Sequence, residues 1–164
     1  MLSVFTVELQ EGLLHFKDGL TSVLEVALRL GTTEEFDGED LPIQEVPGWF
    51  VEISSNPENA PLAARRGRDQ YLANIVSGPW PLQDWLYRFC PDEDSRGWSW
   101  WDMTPTSDGD VHLWVDSWGE DFFGCDDLRW LAYTAGARRV VGPEIRQLES
   151  WLEESSTQKD DNEH

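Results

Sequence analysis

Apolar positions change period several times along this chain, and each change marks an element. Val4 to Leu9 alternate in the manner of a first strand, and after the turn signal Gln10-Glu11-Gly12 the short run Leu13 to Phe16 reads as a second. From Asp18 the spacing becomes helical. Leu20, Val23, Leu24, Ala27 and Leu28 form one stripe, with Asp18 as the expected N-cap and Gly31 as the expected stop. Residues 32–47 read as a loop, and Trp49-Phe50-Val51-Glu52-Ile53 as a strand closed by Ser54-Ser55-Asn56-Pro57.

A helix is expected from about Pro61 to Val76, with Gly67 weakening its middle by about 1 kcal/mol relative to alanine. A shorter one follows Pro79 and Pro81, with Leu82, Trp85, Leu86 and Phe89 recurring at three and four residues, and Pro91 ends it. Residues 98–103 and 110–118 read as two strands of a hairpin joined by a turn-rich connection. Gly124 to Gly136 reads as a helix with Asp126 and Asp127 at its positive end, and Arg138 to Val141 as a short strand. Gly142-Pro143-Glu144 is expected to open a last helix, with Ile145, Leu148, Trp151 and Leu152 as its apolar stripe.

These elements sum to an α+β domain over residues 1–154, with an antiparallel or mixed sheet of about five strands and about five helices packed mainly on one face. Residues 155–164 are expected to form a disordered acidic tail. A chain of 164 residues can bury one substantial core without disulfides or metal, and its ten Trp, seven Phe and three Tyr exclude a disordered acidic segment.

Charge changes the picture most. The chain has 32 acidic residues against 12 basic ones, a net charge of -20, and -18 of this lies within residues 1–154. Such a body repels phosphates and anionic membranes and attracts basic partners. Direct binding to nucleic acid, which needs cationic contacts to phosphate, is therefore not expected. The densest acidic run is Glu34, Glu35, Asp37, Glu39 and Asp40. A solvated halophilic surface would account for the same excess. Arg65, Arg66 and Arg68 form the one basic cluster and are expected to make ion pairs.

Cys90 and Cys125 stand in no metal-ligand or disulfide spacing. The N-terminus lacks the basic start of a signal peptide, and no run reaches the roughly 20 apolar residues of a membrane span. A soluble, cytoplasmic location is expected.

The hairpin carries the sharpest local pattern. Strand alternation places Val111, Leu113 and Val115 on one face of its second strand and His112, Trp114, Asp116 and Trp118 on the other. On the first strand Trp101 and Met103 are expected to face the core, with Trp98, Trp100 and Asp102 opposite. One register sets Trp100 against Trp114 and Asp102 against His112. The resulting face of four Trp, two Asp and one His is either covered by a helix, such as the one starting near Cys125, or open to a ligand.

Enzyme signatures are missing. There is no GxSxG elbow, no phosphate-cradling glycine loop and no HExxH, and only His15, His112 and the terminal His164 are present. Asp92-Glu93-Asp94-Ser95-Arg96-Gly97 matches the opening of a calcium loop, but Arg96 stands at a ligand position and Met103 where the bidentate Glu belongs. No cofactor or metal is expected.

The expectation that follows is a binding protein, not an enzyme. It would neutralise or inhibit a basic partner, in the class of immunity proteins or DNA mimics that block nuclease toxins, through the acidic run and through Trp98, Trp100, Asp102, His112, Trp114, Asp116 and Trp118. The alternative is a small carbohydrate-binding or carbohydrate-acting module, with Trp100 and Trp114 stacking on sugar and Asp102 and Asp116 supplying carboxylates.

Overall fold

Helical spacing reaches further along the chain than local composition indicates. A computed structural model describes residues 1–91, 96–120 and 122–162. Its elements are β1 (Leu2–Leu9), α1 (Leu13–Thr33), α2 (Gly48–Ser55), a 3-10 turn (Pro57–Asn59), α3 (Leu62–Asn74), α4 (Leu82–Tyr87), β2 (Ser99–Pro105), β3 (Val111–Asp116), α5 (Asp126–Thr134), β4 (Ala137–Arg146) and α6 (Leu148–Asn162). The fold is α+β, with one four-stranded antiparallel sheet in the order β2-β3-β1-β4.

Two expected strands are helical instead. Phe16 lies four residues before Leu20, so it extends the buried stripe of Leu20, Val23, Leu24, Ala27 and Leu30 back past Asp18, and α1 starts at Leu13. The helix also runs through Gly31 to Thr33. That glycine serves a close approach, since a Cβ there would stand 2.7 Å from the Phe89 carbonyl oxygen. In the Trp49 segment, Phe50, Ile53 and Ser54 are the buried residues, and their spacing of three and four puts them on one helical face. Burial of that face overrides the β-propensity of its aromatic and branched residues.

The C-terminal boundary also moves. Gly142 and Pro143 lie within β4, where Ile145 pairs with Ser3 of β1, so the last helix opens at Leu148. Leu148 and Leu152 are more than a third exposed, and Trp151 alone of the expected stripe packs inward. Helix α6 includes residues 155–162, part of the segment assigned from sequence to a tail.

Strand alternation distributes the sheet between two cores. Phe5 and Val7 of β1, Val111, Leu113 and Val115 of β3 and Met103 of β2 meet α1 through α5 in the main cluster. Leu2, Val4 and Trp114 point to the opposite face, which Trp151 of α6 covers. The main core closes on Asp127, fully buried at the start of α5. Its Oδ2 accepts from Arg88 Nε at 3.0 Å, and its Oδ1 accepts from Trp98 Nε1 at 2.9 Å and from the Leu128 N–H at 2.7 Å. A buried carboxylate persists only when paired and hydrogen-bonded in this way.

Candidate functional site

The acidic run is an ordered display. Glu34, Glu35, Asp37, Glu39 and Asp40 are all exposed, and none has a cationic partner among the described residues. The backbone between them is pinned from beneath by α4. Phe36 packs against the main core and edge-on to Tyr87, with ring centroids 5.2 Å apart. The Tyr87 hydroxyl accepts the Gly38 N–H at 2.9 Å and donates to the Glu39 carbonyl at 2.6 Å. Asp37 Oδ1 accepts the Glu39 N–H, and Gln83 clamps buried Leu41 by accepting its N–H at 2.9 Å and donating to its carbonyl at 3.1 Å. The carboxylates therefore sit on a loop whose shape is set by residues outside it. Tyr87 and Gln83 carry no local signal of that role in the sequence.

The hairpin departs from the expected alternation. Trp100 pairs with Val115, and Asp102 with Trp114, leaving Trp101 as the extra residue of a β-bulge. One unpaired residue reverses the parity of everything before it. Trp100 and Met103 therefore both face the main core, and Trp101 stands out at the edge, 42% exposed and edge-on to Trp151 at 5.4 Å. The register Trp100 to Trp114 and Asp102 to His112 is thus corrected, and Thr104 is the residue opposite His112.

The Trp-acid face is closed by a helix, and the helix is α6, not the one near Cys125. Trp151 Nε1 donates to Asp102 Oδ2 at 2.8 Å. Glu154 accepts from Thr104 Oγ1 at 2.9 Å and meets His112 Nδ1 at 2.8 Å. Trp114, fully buried, donates from Nε1 to Thr104 Oγ1 at 2.7 Å. Trp98 lies in the main core on Asp127. Neither Trp98 nor Trp114 offers a ring face to a partner or a sugar, and Trp100 is half-buried against the core. Glu154 and Trp151 lie 42 and 49 residues from the partners they hold, a separation that leaves no local pattern.

Trp118 differs from the rest. It is 65% exposed and is the one non-glycine residue among those described with positive φ, at 54°. Left-handed backbone costs a residue with a Cβ about 1–2 kcal/mol and persists where its surroundings impose it. Here Asp116 Oδ1 accepts the Trp118 N–H at 2.8 Å. Buried Ser3 and Ser117 bond through their hydroxyls at 2.7 Å, Ser117 Oγ donates to the Glu120 carbonyl at 2.8 Å, and Glu120 N–H returns to the Ser117 carbonyl at 3.0 Å.

Trp118 lines a groove of about 320 Å3 with Leu28 and Thr32 of α1, Phe89, Cys90 and Ser99. Thr32 lies two positions before Glu34, so the groove adjoins the start of the acidic run. Of the expected contact residues, Trp118 lines this groove at the end of α1 from which the acidic run departs, and Asp116 holds the Trp118 backbone N–H. Two guanidiniums also line the groove and turn inward. Arg88 engages Asp127, while Arg96 donates to the Trp98 carbonyl and lies over the Phe89 ring at 4.3 Å. Burial lowers the pKa of Arg96, and the Asp127 carboxylate opposes that shift.

Other candidates contribute less. Arg65, Arg66 and Arg68 make no ion pairs among the described residues, contrary to expectation. A cleft of about 420 Å3 between α1 and the starts of α2 and α3 is walled mostly by small residues and Trp49, with His15, Asp18 and Ser22 exposed at its rim. Among the described residues no three His, Cys, Asp or Glu side chains could hold a metal, and no helix is long and apolar enough to cross a membrane. The acidic turn Asp92-Glu93-Asp94 lies outside the described residues. Comparison of the chain with protein-family models, with curated proteins and with solved structures finds no match.

Proposed function

We propose that this chain is an acidic inhibitor that docks on a basic protein and neutralises it, in the manner of immunity proteins or DNA mimics that occupy a nuclease's phosphate-binding groove. The observation that carries this reading is the loop at 34–40. It holds five exposed carboxylates, without a cationic partner among the described residues, on a backbone anchored by Tyr87 and Gln83. Anchoring lowers the entropy lost when charged side chains are aligned against a partner, and the surrounding charge of -20 steers a cationic surface toward them. Electrostatic complementarity of this kind raises association rates and makes affinity salt-sensitive. We place the protein in the cytoplasm, where Cys90 and Cys125 remain thiols.

The test is to capture the partner by cross-linking in native lysate, purify it, and measure binding at low and high salt. Affinity should fall steeply as salt rises. The joint variant Glu34→Gln, Glu35→Gln, Asp37→Asn, Glu39→Gln and Asp40→Asn should bind at least tenfold more weakly. Salt-independent binding, or full affinity in the joint variant, would overturn the reading.

A further inference from the structure

We infer that Trp118 is the aromatic anchor of this docking surface and that it receives the guanidinium of an arginine from the basic partner. The inference rests on the binding function proposed above and names the chemistry that the partner must present.

The fold uses guanidinium-on-ring packing repeatedly inside itself. Arg88 lies over Trp80, Arg96 over Phe89 and Trp98, and Arg129 over Phe5. Trp118 has the same ring chemistry and, among the described residues, no ring or guanidinium packed on it. It is held out in a left-handed turn that the buried Ser3–Ser117 pair ties to β1. The ring is therefore presented by a rigid support.

Charge selects the occupant. Asp116 and Glu120 flank Trp118 in the chain and, like the carboxylates at 34–40, have no ion pairs among the described residues; that run starts two positions after Thr32, which lines the same groove. A cation over an indole face gains from the ring quadrupole, and a planar guanidinium can stack while its fork bonds carboxylates at the rim. A lysine ammonium supplies charge without that planar fit. Among the described residues, Arg88 and Arg96 turn toward Asp127, the Trp98 carbonyl and the Phe89 ring, and neither packs on Trp118.

The probes are two nine-residue peptides, one all arginine and one all lysine, titrated calorimetrically into the full chain at fixed salt. The intact protein should prefer the arginine peptide by about fivefold. Trp118→Gly removes the ring while keeping a residue suited to the left-handed backbone. It should abolish the preference and leave the salt dependence unchanged, whereas Trp101→Ala, at the other exposed hairpin indole, should leave the preference intact. An undiminished preference in Trp118→Gly, or equal loss in Trp101→Ala, overturns the inference.

The loop is read separately. The joint variant at 34–40 is compared with one neutralising Asp18, Glu25, Glu58, Asp69 and Glu149, all exposed elsewhere. Equal weakening in the two would overturn the loop as docking element while the arginine preference still reports on Trp118.

Discussion

The indole N–H of Trp98 donates to Asp127 Oδ1 at 2.9 Å, in a core that leaves Trp98 1% exposed and Asp127 none. The same carboxylate holds Arg88 and the first turn of α5, while Trp85 Nε1 donates to its backbone carbonyl at 2.8 Å. One residue thus joins α4, α5 and the entry to β2. Asp127→Ala removes three hydrogen bonds to one buried carboxylate, and it should cost about 3–5 kcal/mol in urea unfolding. Trp98→Phe keeps most of the packing and should cost clearly less.

Gly67 sits in the middle of α3, where helix propensity alone favours alanine by about 1 kcal/mol. The structure reverses that sign. A Cβ at Gly67 would stand 1.8 Å from the Tyr133 carbonyl oxygen, so α3 must move off α5 to admit it. Gly67→Ala should destabilise by at least about 1–3 kcal/mol, seen as a lower Tm.

Trp151 fastens α6 over Leu2, Val4 and Trp114. Trp151→Ala removes that cover together with the bond to Asp102, so it should cost about 2–3 kcal/mol and admit water to Trp114. A red-shifted tryptophan emission at full native helicity is the expected signature. Glu154→Gln should weaken the same attachment through His112 and Thr104.

Tyr71 is fully buried, and its hydroxyl has no hydrogen-bond partner among the described residues. Burial, with the nearby Asp126 carboxylate adding to it, pushes its pKa from 10.0 up to about 12. A folded-state value above the unfolded one favours the native state below pH 10, and that stability is lost as pH rises through 12. Stability measured across this range should fall more steeply in the intact protein than in Tyr71→Phe. Near neutral pH the substitution should change stability by less than about 1 kcal/mol, because the hydroxyl makes no hydrogen bond of standard geometry among the described residues and only approaches the equally unsatisfied indole N–H of Trp80.

Much of the fold is legible where periodicity is long. The stripe of Leu20, Val23, Leu24 and Ala27, the helix around Leu128 and Leu131, and the hairpin strands all stand where the sequence puts them. Short apolar runs were ambiguous. Leu13 to Phe16 and Trp49 to Ile53 suit strand or helix by composition, and only contact with the main core selects helix. The acidic run was legible as an exposed loop because free carboxylates resist burial, whereas its anchoring by Tyr87 and Gln83 spans more than 40 residues of chain.

By itself, the sequence determined the charge of -20, its concentration at 34–40, the α+β class and the core faces of α4 and α5, since these follow from composition and local period. Tertiary structure alone decided which tryptophans meet solvent. A single bulged residue at Trp101 turned Trp100 inward, α6 returned from far along the chain to cover Trp114, and a strained turn held Trp118 out. Alternation within a strand assigns faces only relative to its neighbours. Whether a face is buried depends on what packs against it.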